Sequence, residues 1–267
     1  MENIVDRELT VEMLRAPGAW TATGLGHGFF GRRGGVSQNR FAALNLSRQV
    51  GDDSQAVALN WSRARRTMPS YRQLALLNQV HGSEVHIIGP DYAGARLAGD
   101  GMVTTVAGVA LGIFTADCVP LLMVDAERRV AGAFHAGWRG TLAGLAGVGL
   151  RTMAAAGAEF KRVVAALGPS IGPCCYEVDA ELGERFAAAW PESRARIGPG
   201  RPGKAMIDLR GILTDQLIAG GLDPASISTV GPCTRCASER FFSRRAANGR
   251  VGGLQLSFVG FVDGPER

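Results

Sequence analysis

Three apolar runs of strand length in the middle of the chain constrain its fold more than any other feature. They cover residues 109–114, 119–124 and 130–135, and the third is followed by a glycine turn and a segment with helical periodicity. Apolar runs of this length, bounded by turn residues, are typical of buried strands. Because strands alternate with helices, we expect an α/β protein whose mixed sheets are covered by helices.

Helices are predicted on both sides of these runs. Residues 55–67 form one candidate, and a second begins at the cap Thr141 and stops at Gly157. In the last third, Asp179 and Asp208 each precede an apolar periodic segment, as helix N-caps do.

The composition predicts one ordinary globular domain. Hydrophobic residues make up 46% of the chain and charged residues 20%, which excludes the disordered class. No repeat and no Ser/Pro-rich linker divides the sequence, so we expect residues 1–267 to form a single domain. Residues 191–203, rich in proline and glycine, are predicted to be a loop.

Charge and targeting patterns favour small-molecule partners over nucleic acid or membrane. The formal net charge is +5, but the runs Arg63-Ala64-Arg65-Arg66 and Arg244-Arg245 are short, as in solvated faces. The first residues lack a basic-then-apolar leader, and the uncharged stretch 101–116 falls short of the roughly 18 to 20 apolar residues that span a bilayer. With an odd number of cysteines, five, a cytoplasmic location is expected.

Two histidines and one cysteine occupy positions where side chains project at the rim of a sheet. His135 ends the third apolar run, Cys118 lies two residues before Pro120, and His81 lies in a polar turn. If these rims coincide, two imidazoles and a thiolate form a tetrahedral zinc site with one open position, the pattern of catalytic zinc.

The same residues leave two other interpretations open. Cys118 and His135 also suit a nucleophile and its general base, with Asp117 or an amide orienting the imidazole, as in a cysteine hydrolase. The simplest interpretation is a buried thiol with ordinary histidines.

The remaining cysteines give a weaker pattern. Cys233-Thr234-Arg235-Cys236 follows a proline, which matches half of the zinc deaminase signature, but no histidine has a glutamate two residues later. A zinc ribbon needs a second C-x-x-C, and the neighbours Cys174 and Cys175 do not form one. We therefore predict reduced thiols here.

Arg139 is a candidate anion contact. It follows a glycine at the start of a predicted helix, where free backbone N–H groups and the helix dipole favour negative charge. A phosphate and a protein carboxylate are equally good partners for it.

Eleven short segments, taken together and in order, resemble one family. These segments are His27-Gly28-Phe29-Phe30, Arg33-Gly34-Gly35-Val36-Ser37, Leu44-Asn45-Leu46, Val50-Gly51-Asp52-Asp53, Asn78-Gln79-Val80-His81-Gly82, Asp100-Gly101-Met102-Val103-Thr104, Thr115-Ala116-Asp117-Cys118-Val119-Pro120, His135-Ala136-Gly137-Trp138-Arg139-Gly140, Gly168-Pro169-Ser170-Ile171-Gly172, Cys233-Thr234 and Phe241-Phe242-Ser243. They resemble the bacterial laccase-domain family, first described as polyphenol oxidases, linked to peptidoglycan editing, and later described as purine nucleoside phosphorylases.

The resemblance implies a layered α/β domain that is not a cupredoxin, with metal ligands at His81, Cys118 and His135. It implies zinc as the ion, while the same donors also bind copper. The implied activity is phosphorolysis of adenosine, inosine and methylthioadenosine, so a purine nucleoside and phosphate are the expected partners, with adenosine deamination in the same pocket.

Further site residues follow from the resemblance. Asn45, Arg139 and Arg245 are the expected substrate contacts. Asp100 and Asp117 are candidates to orient the ligand histidines, with simple turn residues as the alternative. The chain departs from the family after Phe-Phe-Ser, where residues 244–249 replace the usual Tyr and Arg-Asp-Gly, which implies a different substrate choice.

A non-enzymatic alternative also remains at this stage. A peptidoglycan-editing or metal-binding factor would bind the ion without turnover, and copper-loaded protein would oxidise phenols only as a side activity. The sequence does not determine the oligomeric state.

Overall fold

A computed structural model of the chain describes residues 10–250 and 252–263. The helices are α1 Ser54–Arg65, α2 Trp138–Leu142, α3 Leu145–Ala155, α4 Ala180–Ala189 and α5 Leu209–Ala219. The strands are β1 Met13–Leu14, β2 Leu25–Phe30, β3 Gln73–Leu76, β4 Val85–Ile88, β5 Gly101–Thr104, β6 Val109–Thr115, β7 Val119–Asp125, β8 Val130–Ala136, β9 Val164–Leu167, β10 Glu177–Asp179, β11 Ile197–Pro199, β12 Lys204–Ile207, β13 Ile227–Thr229 and β14 Gln255–Phe261.

Two large mixed sheets form the centre of the described structure. One has the order β1-β2-β14-β6-β3 and the other β13-β9-β7-β8-β5-β4, while β10, β12 and β11 form a small third sheet. In the first large sheet, β3 and β6 are the one parallel pair among the described strands. In the second large sheet, β13 is parallel to β9 and β4 is parallel to β5. The predicted α/β class with mixed sheets is confirmed.

Side-chain alternation in the strands explains how these sheets stack. In β7, Leu121 and Met123 pack in a cluster with α3 and α5, whereas Leu122 and Val124 pack against the other large sheet. Phe258 of β14 faces a third cluster on the α1 side. Strands buried on both faces need apolar residues at every position, which is why β6, β7 and β8 appear as unbroken apolar runs.

Phe134 in β8 shows how tightly the helices approach the sheet. Its side chain is fully buried, and an added Cβ at Gly101, Gly132 or Gly149 would come within 2.7 Å or less of its ring atoms. Glycine at these positions therefore makes room for a large ring beside His135, and the close packing fixes the strand that carries this histidine.

Two sequence predictions about local structure were wrong. Thr141 does not cap a long helix, because it lies inside α2, where its hydroxyl donates to the Gly137 carbonyl. The chain then turns at Gly144, whose φ of 77° allows α3 to start in a new direction. The predicted loop 191–203 contains strand β11, which pairs with β12.

Asp208 caps α5 as predicted, since its side chain accepts a hydrogen bond from the Gly211 backbone N–H. No helix within residues 10–250 and 252–263 is long and apolar enough to cross a bilayer.

Candidate active site

Three structural elements bring His81, Cys118 and His135 together. Cys118 immediately precedes β7, whose Pro120 pairs with His135 in β8, and His81 lies in the turn between β3 and β4. One ligand atom from each side chain, two imidazole nitrogens and the Cys118 sulfur, lies within 4.8 Å of the others. His135 is buried, Cys118 half-buried and His81 exposed, so the group opens to solvent on the His81 side.

Asp100 holds two of these residues in place. Its buried carboxylate accepts hydrogen bonds from the backbone N–H groups of Val80 (3.2 Å), His81 (3.0 Å) and Gly82 (2.6 Å) and lies 2.7 Å from His135 Nδ1. Because three donors already point at this carboxylate, His135 Nδ1 must donate the fourth hydrogen bond. The hydrogen bond between His135 and Cys118 therefore uses Nε2, and a metal can bind this nitrogen in place of its proton, an arrangement found at many metal-ligating histidines.

The local electrostatics favour a thiolate at Cys118. Burial alone would raise the pKa of this thiol, but the charge of His135 and hydrogen bonds from His135 and His81 outweigh burial and lower the pKa to about 6. Burial likewise opposes protonation of His135, yet the Cys118 thiolate and the Asp100 carboxylate raise the pKa of His135 to about 9. A cation binding between the imidazole and the sulfur thus replaces a proton beside an existing thiolate.

Gly137 gives the three side chains the space they need. An added Cβ at this position would lie 3.2 Å from Cys118 Sγ and 3.2 Å from His81 Cδ2. Its backbone angles, φ −76° and ψ 173°, are open to any residue. A side chain at this position would therefore push the sulfur or the ring aside by a few tenths of an ångström, so glycine gives them space and is not needed for conformation.

A cavity of about 300 Å³ adjoins the three residues. His81, Cys118 and His135 form part of its wall, together with apolar side chains that include Leu77, Phe114, Phe242 and Leu254. Small-molecule sites commonly enclose about 300–1,000 Å³. The cavity is therefore large enough for a small molecule that also reaches the histidines and the sulfur.

Three arginines that sequence reasoning missed also line the cavity, namely Arg32, Arg40 and Arg244. Arg32 is fixed, because its guanidinium donates to the carbonyls of Ala42 and Ser238 and stacks on Phe242 at 4.6 Å. Arg40 and Arg244 are exposed: Arg40 stacks on Phe41 at 4.7 Å, and Arg244 Nε donates to the Gly249 carbonyl at 3.2 Å. Their positive charge gives this end of the cavity an affinity for anions.

The three predicted substrate contacts do not line this cavity. Asn45 is fully buried, and its amide is occupied by Ser47, Asp52 and the Leu254 backbone N–H. Its observed contacts fix the loop that carries Leu254.

The two arginines among the predicted contacts lie elsewhere. Arg139 is exposed and stacks on Trp138 at 4.3 Å. Arg245 donates to the carbonyls of Cys175 and Glu177, while its neighbour Arg244 lines the cavity. In the sequence, the feature that points to Arg244 is its place beside Arg245 in the Arg244-Arg245 pair.

Asp117 does not contact a ligand histidine. Its carboxylate accepts hydrogen bonds from the Thr234 hydroxyl (2.7 Å) and the Arg245 backbone N–H (2.7 Å). It therefore fixes the turn before Cys118, and Asp100 is the residue that orients His135. The structure also brings together Cys174, Cys175, Cys233 and Cys236, which sequence reasoning did not predict.

The residues present fit a metal ion. Two imidazoles and a thiolate match the donor set that zinc prefers at sites with an open fourth position. A buried carboxylate orients one of the two imidazoles. The donors do not distinguish zinc from copper, since both bind imidazole and thiolate.

Comparison with known proteins identifies the family. The family described as multi-copper polyphenol oxidoreductase laccase matches residues 26–261. This chain belongs to that family. The resemblance inferred from the short segments is confirmed.

Several members of the family are enzymes by name. A purine nucleoside phosphorylase of Streptomyces coelicolor is 36% identical over 236 residues, which cover 87% of this chain and 96% of the relative. An adenosine deaminase named RL5, from an unknown prokaryotic organism, is 35% identical over 222 residues, covering 78% of this chain and 83% of the relative.

Solved structures of the family share this fold. The crystal structure of YlmD from Geobacillus stearothermophilus superimposes with a TM-score of 0.85 at 33% identity, over 94% of this chain and 96% of YlmD. The fold is thus the layered α/β fold of this family, and not a cupredoxin barrel.

Proposed function

We propose that this chain is a zinc-dependent purine nucleoside phosphorylase that acts on adenosine, inosine and methylthioadenosine and also deaminates adenosine. The observation that carries the proposal is the convergence of His81, Cys118 and His135 on the wall of a cavity that also presents the exposed arginines Arg40 and Arg244. The names of relatives at 35–36% identity support the same reaction classes.

His81, Cys118 and His135 would hold the zinc ion. When bound, zinc supplies a Lewis acid that polarises a substrate oxygen or nitrogen, or lowers the pKa of water. Asp100 keeps His135 in the tautomer that offers Nε2, and it fixes the backbone of the His81 turn at the same time. The protein thus holds its donors in place before any ligand arrives, which is the arrangement that catalysis needs.

The apolar wall would bind the purine ring, and the arginines would bind phosphate. Phe114 and Phe242 supply aromatic surface, and Arg40 and Arg244 supply N–H donors that match phosphate oxygens. In this proposal Arg40 and Arg244 take the role that the sequence suggested for Arg139. Asn45 and Arg245 act on the substrate indirectly, through the loop and the turn that they hold.

Each reaction balances with phosphate or water as co-substrate. In phosphorolysis a phosphate oxygen bonds to the ribose anomeric carbon, the glycosidic C–N bond breaks, and its electron pair leaves with the purine, which takes up a proton. In deamination the oxygen of water bonds to C6 of adenine and the bond from C6 to the amino nitrogen breaks. The amino group leaves as ammonia with one proton of the water, and the other proton ends on N1 of the hypoxanthine ring. The cavity's role is to align the reactants, which accounts for much of the rate that enzymes gain.

The test is to incubate the purified protein with inosine and phosphate and to measure hypoxanthine and ribose 1-phosphate. We expect the two products in equal amounts, loss of both after chelation, and recovery with added zinc. Cys118→Ser should abolish release, whereas Arg151→Ala, which changes an exposed arginine on α3, should leave it unchanged. Metal-loaded protein that releases neither base nor ammonia from any purine nucleoside would favour the non-enzymatic factor instead.

A cysteine hydrolase is the second candidate, because Cys118, His135 and Asp100 also form a thiolate–imidazole–carboxylate series. The two functions respond differently to inhibitors. Activity that survives chelation but is lost after thiol alkylation would identify the hydrolase.

A further inference from the structure

The four cysteines outside the candidate active site form a second cluster. Cys174 and Cys175 lie in the turn between β9 and β10, and Cys233 and Cys236 lie in the segment after β13. All four sulfurs lie within 4.8 Å of one another, with Cys236 Sγ at 3.6 Å from Cys174 Sγ and 3.4 Å from Cys175 Sγ.

Backbone hydrogen bonds fix both segments that carry these sulfurs. The N–H groups of Cys175 and Tyr176 both donate to the Gly172 carbonyl at 3.0 Å, so the first segment forms a tight turn with its two sulfurs on one side. The second segment is joined to it where Ser170 forms a β-bridge with Cys233 and accepts from the Thr234 N–H. The four thiols therefore converge as a consequence of the fold.

The spacing of the sulfurs suits a single tetrahedral ion. A zinc–sulfur bond of about 2.3 Å places the sulfurs of a tetrahedral site about 3.8 Å apart. Two of the separations in the cluster are 3.4 and 3.6 Å, and none exceeds 4.8 Å. A disulfide requires about 2.05 Å. The four ligands of an iron–sulfur cluster are divided among two or more irons, so they spread more widely than the 4.8 Å within which these sulfurs lie.

The surroundings stabilise a thiolate at Cys233, whereas burial raises the pKa of Cys174 and the hydrogen bond with Cys175 raises the pKa of Cys236. The Gly172 backbone N–H donates to Cys233 Sγ at 3.2 Å, and half-buried Arg210 interacts electrostatically with Cys174 and Cys233. Cys175 and Cys233 are 9% and 8% exposed, while the other two cysteines are exposed. An ion can thus enter from solvent and become partly enclosed.

We propose that Cys174, Cys175, Cys233 and Cys236 bind a zinc ion at a closed, structural tetrathiolate site, separate from the candidate active site. With four protein ligands the site has no open position, so its role is to join the two segments. This role does not depend on the proposed enzymatic function.

The joined segments adjoin the candidate active site. Asp117 is next to Cys118, and its carboxylate accepts a hydrogen bond from the Thr234 hydroxyl. The Asp117 backbone carbonyl accepts another from the Ile171 N–H at 2.9 Å. Arg245, beside the cavity-lining Arg244, donates to the Cys175 carbonyl. Zinc at the tetrathiolate site would therefore fix the turn that presents Cys118 and the segment that presents Arg244.

Metal analysis of the untagged full chain tests the proposal. Zinc-replete wild type should hold about two zinc ions per chain, and Cys118→Ser and the double variant Cys174→Ser/Cys236→Ser about one each. The Cys118→Ser variant is the matched control, because it removes one thiol from the other site. Wild type with about one zinc ion, and Cys118→Ser with none, would overturn the proposal.

Spectroscopy keeps the proposal testable if the double variant fails to fold. Cys118→Ser loaded with Co²⁺ should show the intense visible and near-ultraviolet absorption of tetrahedral cobalt with four thiolates, and chelation should then lower its Tm. Weak, octahedral-type absorption, or a mass lowered by disulfide formation in protein isolated under reducing conditions, would contradict a zinc site.

Discussion

Replacement of Asp100 by asparagine tests how the protein positions its metal ligands. The Asp100 carboxylate is fully buried and accepts from His135 Nδ1 and from three backbone N–H groups of the His81 turn. Although burial opposes it, these hydrogen bonds keep the pKa of Asp100 below its ordinary value, so the carboxylate is ionised. Asparagine has the same shape but only one oxygen.

Either orientation of the new amide breaks part of this arrangement. With the amide nitrogen at the Oδ2 position, the N–H groups of Val80 and Gly82 lose their acceptor. With the nitrogen at the Oδ1 position, the His81 N–H loses its acceptor and His135 must accept at Nδ1, which places the proton on the nitrogen needed by the metal.

The size of the effect follows from these contacts. Each buried donor left unpaired costs about 1–3 kcal/mol, so we expect the free energy of unfolding to fall by about 3 kcal/mol. Loss of a group that orients a metal-bound histidine typically weakens metal affinity about 10- to 100-fold, and we expect the same range here.

The assay is zinc competition against a chromophoric chelator, with urea unfolding in parallel. Asp125→Asn is the control, because Asp125 is also fully buried and accepts from the backbone N–H groups of Arg128 and Glu159 but lies apart from the histidines. We expect it to lose stability while retaining zinc affinity. Equal zinc affinity in both variants and wild type would refute the role given to Asp100.

Other changes test the space, the charge and the protonation of the site. Gly137→Ala should fold but bind zinc more weakly by the same competition assay, because the added carbon would lie 3.2 Å from Cys118 Sγ and from His81 Cδ2 and would push them aside. Unchanged affinity would contradict this. Arg40→Ala and Arg244→Ala should each raise KM for phosphate about tenfold, because each removes one charge-assisted hydrogen bond. Arg151→Ala should not raise KM, and an equal rise in all three variants would rule out a specific phosphate contact. In metal-free protein, alkylation of Cys118, followed by mass spectrometry, should be fast at neutral pH and should slow as the pH falls through about 6. The reason is that the lowered pKa of Cys118 keeps the reactive thiolate down to that pH. A midpoint of the alkylation rate near pH 9.0, the ordinary thiol pKa, would show that the imidazoles do not stabilise the thiolate.

The sequence predicted the central strands well because their environment leaves a local signature. Strands β6, β7 and β8 are buried on both faces, so nearly every position is apolar, with polar residues only at or near the strand ends, and the runs stand out. Strand β11 lacks such a signature: it has only three residues and exists because it pairs with β12. The break between α2 and α3 was missed because a left-handed glycine in a helical pattern has no distinct periodicity.

The site was predictable in part for the same reason. His135 and Cys118 were singled out because they border apolar runs, which is a local feature. Whether Arg244 or Arg245 faces the cavity depends on hydrogen bonds to segments about 70 or more residues away, such as Arg245 to Cys175. The four-cysteine cluster likewise requires the parallel pairing of β13 with β9, which no local pattern predicts.

The central claim is that His81, Cys118 and His135 hold one metal ion beside the cavity. Anomalous diffraction at the zinc edge, from crystals of the purified protein, tests it most directly. The account predicts a peak bonded to two imidazole nitrogens at about 2.0–2.1 Å and to the Cys118 sulfur at about 2.3 Å. Crystals of zinc-replete protein with no peak among these three side chains would contradict it.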